Sequence, residues 1–251
     1  MASDATCEEL QEFVRTLNQA IADVRKKWRD LDTIDVSQYM IAVLPLRNLD
    51  VFEGFWMVVK GHSVPVADML LRPLLEGTVI LEWCALDLPN RALRFRRTSF
   101  ESTLELIEMG LTEETPEYIK NLRESVAWLE AQGHRRLPNL RQLINDIELF
   151  TAAAGYPTYK LFSKSVHALL ESWQDFADAE GVASAADRNW SDTPRFRHTG
   201  SIAAFLGMRN ILLLGTIVPE VATALLPALE QQWARLYQFF ELEGSQGEQR
   251  P

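Results

Sequence analysis

Residues 63–86 read SVPVADMLLRPLLEGTVILEWCAL. Ser63 is suited to cap a helix, and Pro65 suits the first turn, where a backbone N–H has no partner in any case. Met69, Leu70, Leu74, Leu75, Val79, Leu81 and Trp83 then cover most sides of a helix that runs to about Leu86. A helix apolar on most sides belongs at the centre of a fold. Upstream, Leu10, Phe13, Leu17, Ile21, Val24 and Trp28 recur at steps of three or four and predict an amphipathic first helix. Ser37 to Lys60 predicts a second, kinked or broken near Pro45, with Phe52, Phe55, Trp56 and Val59 on its apolar side. Downstream, Leu88-Pro89-Asn90 opens a fourth helix whose Leu93, Phe100, Leu104 and Ile107 share a face. Residues 117–131 and 140–153 predict two shorter helices separated by Gly133 and Pro138, and a long helix follows Pro157 to about Ala179. The polar stretch 181–200 predicts a loop, and 201–214 and 220–240 predict two further helices. No run alternates at period two, and no block repeats. The reading is one all-α domain of eight or nine helices over residues 1–242, with a flexible tail at 243–251.

Composition supports an ordinary globular chain. Of 251 residues, 47% are hydrophobic and 24% charged, which excludes disorder, collagen-like fibre and a disulfide scaffold. Cys7 and Cys84 are distant in sequence and form no Cys-x-x-Cys pair, so reduced thiols in a cytoplasmic protein are expected. With 35 acidic against 25 basic residues, the net charge of -10 repels phosphate backbones and argues against generic DNA binding. Asp4, Glu8 and Glu9 leave the N-terminus without the apolar core of a signal peptide. The most apolar run, Ile211 to Leu229, is interrupted by Gly215, Pro219, Glu220 and Pro227, and reads as a core helix rather than a membrane span.

Several chemistries have no motif here. Gly-x-Gly, Gly-x-Ser-x-Gly and His-Glu-x-x-His do not occur, and His62, His134, His167 and His198 are scattered. Neither a cofactor nor a bound metal is therefore expected.

One polar constellation remains. Tyr159, Ser163 and His167 are spaced four residues apart. At about 100° per residue each step drifts only roughly 40°, so the three side chains line one stripe of the predicted long helix. Arg72 and Glu76 have the same spacing on the apolar third helix, where unpartnered charges are costly. Two arrangements satisfy this requirement. The stripes can meet as a sealed, hydrogen-bonded cluster that fixes helix register. They can equally form an internal pocket in which Arg72 holds an anion, Glu76 orients the guanidinium or His167, and Tyr159 or Ser163 donates a hydrogen bond. A histidine beside a carboxylate can also act as general acid or base, making His167, Arg72 and Glu76 the candidate catalytic groups.

Arg72-Pro-Leu-Leu-Glu76, Arg94-Phe95 and Tyr159-x-x-x-Ser163-x-x-x-His167 resemble the bacterial all-helical family termed domain of unknown function 5677, across about Val51 to Phe240. That family is similar in helical layout to the HEPN superfamily of toxins and defence ribonucleases. The resemblance implies an HEPN-like core, adds Arg94 to the ligand-binding candidates Tyr159 and Ser163, and suggests a homodimer. HEPN ribonucleases carry an arginine four to six residues before a histidine. None of the four histidines here has an arginine at that distance, and Ser163 and Lys164 precede His167 instead.

Two basic islands stand out: Arg91, Arg94, Arg96 and Arg97, and Arg135, Arg136 and Arg141. Arg195-Phe196-Arg197-His198 forms a third cluster, capable in principle of phosphate contact and base stacking. Pairing with the abundant carboxylates is the simpler expectation for the islands. Trp128, Trp173, Trp190 and Trp233 are expected as packing or loop anchors. The functional expectation is binding of a small anionic or nucleotide-like ligand, or of a partner. The alternatives are an HEPN-like metal-independent ribonuclease or toxin component acting on RNA, and a purely structural interaction module.

Overall fold

A computed structural model describes residues 2–31, 36–60, 64–147 and 194–234, and every regular element among them is helical. The elements are α1 (Ala2–Arg29), α2 (Val36–Lys60), α3 (Val64–Ala85), α4 (Leu88–Glu108), α5 (Pro116–Ala131), α6 (Leu140–Asp146), α7 (Pro194–Ile217) and a short α8 (Pro219–Ala222). A 3-10 turn, Thr223–Leu225, leads into a further helical stretch at 226–234. The chain is an all-α bundle.

The centre of the bundle is the triple packing of α2, α3 and α7. Leu71, Leu74, Leu75, Val79, Leu81 and Trp83 of α3 are buried, as the apolar wrap of that helix predicts. From α2, Phe52 and Phe55 are fully enclosed, and Trp56 meets both rings edge-on. Gly207 allows α7 to approach this layer, because a Cβ there would lie 2.8 Å from the Phe52 ring. The Leu10, Phe13, Leu17, Ile21 and Val24 face of α1 covers α7 and α8.

Pro45 does not break α2: the helix runs through it, and the burial of Leu44, Leu49 and Phe52 offsets the lost i−4 hydrogen bond. Two local expectations are corrected. The helix expected at 140–153 stops at Asp146, because Ile147 is extended (φ -114°, ψ 150°) and turns its side chain into the core. The expected loop 181–200 is helical from Pro194 onward, since proline begins a helix well and Thr199 and Gly200 are buried in it; residues 181–193 lie outside the described residues. The apolar run 211–229 divides between two helices, as the predicted pair 201–214 and 220–240 requires: the break falls at Val218, the residue before Pro219, where helical backbone is disfavoured. Thr199–Ile217 is long and apolar enough to cross a membrane by length and composition, and two-thirds of it is buried in the bundle.

Helices α4 and α5 form an arm beside this core. Ala92 is the buried residue of α4, and α5 buries Leu122 and Leu129. Thr115 caps α5 by accepting from the Tyr118 N–H at 3.2 Å, and Pro116 fills its first position. Gly110 (φ 70°) and Gly133 (φ 81°) end the two helices in left-handed turns that other residues adopt poorly. Asn139 and Gln142 then start α6 with a reciprocal capping box.

Candidate functional site

Arg72 and Glu76 fall one turn apart on α3, and the predicted pair forms: Arg72 Nε donates to Glu76 Oε1 at 3.0 Å. Glu76 is not the sole partner of Arg72. The pair is not sealed in the core. The Arg72 side chain is 24% exposed and that of Glu76 34%, whereas Leu71, Leu74 and Leu75 beside them are fully buried. The stripe therefore sits where the apolar centre meets water. Tyr159, Ser163 and His167, its expected counterparts, lie outside the described residues, as do Trp173 and Trp190.

Arg94 is placed elsewhere. Its guanidinium lies over the Trp83 ring, 4.9 Å from the centroid, and Nη2 donates to the Arg136 carbonyl at 2.9 Å. Trp83 is eleven residues along α3 from Arg72, or about 16 Å at 1.5 Å per residue, so the two arginines are not brought together. Trp83 is itself pinned, since its Nε1–H donates to Asp146 at 3.0 Å.

The basic islands largely pair inward. Arg91 donates to the Trp83 carbonyl at 3.0 Å and stacks on the same ring. Arg97 bridges Glu101 (3.0 Å), Glu130 (3.2 Å) and the His134 carbonyl (2.7 Å). The Glu101 hydrogen bond holds the Arg97 guanidinium above its ordinary pKa, against the opposing pull of burial. Arg136 joins Glu101 and Glu105. These contacts fasten the 134–139 segment to α4.

Sequence spacing missed a polar network inside the core. Asn210 of α7 accepts from Asn48 of α2 at 2.8 Å and donates to Thr78 of α3 at 2.8 Å and to the Leu206 carbonyl at 2.8 Å. Thr78 in turn donates to the Leu74 carbonyl at 2.7 Å. Gly77 makes room for Asn48, because a Cβ there would lie 2.1 Å from the Asn48 amide oxygen. Near it, Arg209 of α7 donates to Glu82 of α3 at 2.7 Å. Trp128 also departs from expectation: it is 56% exposed, whereas Trp233 packs against Phe13 and Phe205 as expected. Cys84 is fully buried, and desolvation pushes its thiol up to about 12, with Arg91 opposing weakly. Among the described residues no group of three or more His, Cys, Asp or Glu side chains is placed to hold a metal.

No family model, no curated protein and no solved structure matches the chain.

Proposed function

We propose that the protein binds a small anionic or nucleotide-like ligand at the polar stripe of α3, with Arg72 holding the anion and Glu76 setting the guanidinium plane. The observation that carries this reading is the position of the Arg72–Glu76 pair. It is joined at 3.0 Å yet one-quarter to one-third exposed, on a helix otherwise committed to the core. Solvent access lowers the desolvation cost of the pair and leaves it open to a ligand. A ligand-binding arginine needs both that access and an apolar flank, which weakens screening and strengthens its attraction for an anion. In this proposal Tyr159 and Ser163 supply hydrogen bonds and His167 a titrating group, all three lying outside the described residues.

The test is calorimetric titration with nucleoside monophosphates and inorganic phosphate. Arg72→Ala is expected to weaken binding tenfold or more, and Arg135→Ala to leave it unchanged. Equal binding by the two variants overturns the proposal. Labelled RNA incubated in chelator separates binding from cleavage: intact RNA with retained nucleotide binding supports the reading, and cleavage lost in His167→Gln replaces it with the ribonuclease alternative.

A further inference from the structure

The four arginines of α4 are not equivalent. Arg91, Arg94 and Arg97 each donate to a protein carbonyl or carboxylate. Arg96 makes no hydrogen bond or ion pair among the described residues. Its guanidinium carbon lies 5.0 Å from the Phe100 ring centroid, and its Nε–H is buried without an acceptor. A charged donor left unsatisfied away from water is costly. The omission is unexpected in a chain with ten more acidic than basic residues.

Arg96 lines a groove of about 390 Å³ between α4 and α5. The opposite wall is a single stripe of α5: Asn121, Glu124, Ser125 and Trp128 fall at helical steps of three and four, with buried Leu129 below them. Trp128 presents more than half of its surface to solvent. Each side chain contributes a separate recognition element. The exposed indole offers a stacking face to a planar ring. Arg96 sits over Phe100 with its guanidinium carbon 5.0 Å from the ring centroid, and a guanidinium is the group that takes a carboxylate or phosphate. Asn121 and Ser125 both donate and accept, and Glu124 only accepts, so a ring bearing N–H groups is satisfied there. The volume falls in the range of small-molecule sites, roughly 300–1,000 Å³.

We infer that the α4–α5 groove binds a nitrogen-bearing aromatic ring carrying a single anionic group, stacked on Trp128 and held by Arg96. Glu124 limits the charge, because a polyphosphate brings further negative charge against its carboxylate. This site is separate from the α3 stripe and stands whether or not that stripe binds a ligand. Two sources share the chemistry, a nucleoside monophosphate and an aromatic amino-acid derivative.

Calorimetric titration of the full chain with adenosine monophosphate and with N-acetyltryptophan tests the inference. At least one probe is expected to bind with a Kd below about 1 mM. In the Arg72→Ala background, which removes the α3 anion contact, that binding should persist, and adding Arg96→Gln or Trp128→Ala should weaken it at least tenfold with unchanged circular dichroism. Preference for the monophosphate assigns the anion as phosphate, and preference for N-acetyltryptophan assigns it as carboxylate. Absence of binding by both probes in the Arg72→Ala background, undiminished binding after Arg96→Gln or Trp128→Ala is added, or tighter binding of adenosine triphosphate overturns the inference.

Discussion

At Asn210 the amide uses both of its N–H groups and its oxygen on protein partners, each at 2.8 Å, in a position with no solvent exposure. Truncation to Ala would strip partners from Asn48 and Thr78 and leave those groups buried. Asn210→Ala is therefore expected to destabilise by about 3 kcal/mol, within the range for breaking a buried network. The combined Asn48→Leu, Thr78→Val, Asn210→Leu variant removes every orphan and should recover part of that loss. Chemical denaturation of the two variants checks this, and a triple variant less stable than Asn210→Ala would contradict the account. Cys84 supplies a pH-dependent test. Its thiol titrates near 12 in the folded protein against an ordinary value of 9.0, so the folded state keeps a proton that the unfolded chain releases earlier. The associated stability is fully present below pH 9 and declines as pH rises toward 12, by an amount on the order of 4 kcal/mol. Cys84→Ala should have a flatter stability curve over that window than the native chain; parallel curves would mean that the thiol is not desolvated. The Arg72–Glu76 spacing was legible because one helical turn links the two residues. The Asn48–Asn210 bond joins residues 162 apart in sequence, and no local period reveals such a pair.

The helices differ in how firmly they are held. Helices α2, α3 and α7 pack on one another, with Phe52, Leu74 and Ile211 enclosed among them. Helix α5 has its main described contact with α4 and buries two residues, Leu122 and Leu129. Helices with few buried apolar contacts open at lower free energy than the global transition. Hydrogen exchange should therefore protect Leu74–Trp83 and Leu206–Leu214 most strongly, while amides of α5 exchange through sub-global opening. Uniform protection across α3 and α5 would show that the arm unfolds only with the bundle. This division also explains which elements the sequence revealed. The apolar wrap of α3 and the period of α1 identify helices whose residues all serve one core. Pro45 does not break α2 because its local cost is outweighed by tertiary burial, and residues 194–200 misled because their polar composition hides a buried Thr199 and Gly200. Trp128 reads as a packing residue by type alone, and its exposure on α5 emerges only when the arm is assembled.

Among the described residues, several arginines are neutralised where they stand. Arg25 meets Asp50 and Glu53, Arg97 meets Glu101 and Glu130, Arg123 meets Glu108, Arg136 meets Glu101 and Glu105, and Arg209 meets Glu82. Of the two islands that look basic in sequence, Arg97 and Arg136 are thus joined to carboxylates once folded, and Arg91 and Arg94 to backbone carbonyls, within a chain of net charge -10. Duplex DNA is bound non-specifically through many simultaneous phosphate contacts, each releasing counterions, and that requires a continuous positive face. A small ligand requires only one well-placed guanidinium. The two forms of anion recognition should separate in experiment. Fluorescence anisotropy of a labelled random-sequence duplex is expected to show no saturable binding at about 50 mM salt, where electrostatic association is strongest. The small-molecule affinities should change little between about 50 and 200 mM, because few charges are neutralised. Saturable duplex binding that weakens steeply with salt would reveal a continuous basic face, and the arginine pairings described here would then fail to describe the molecule in solution.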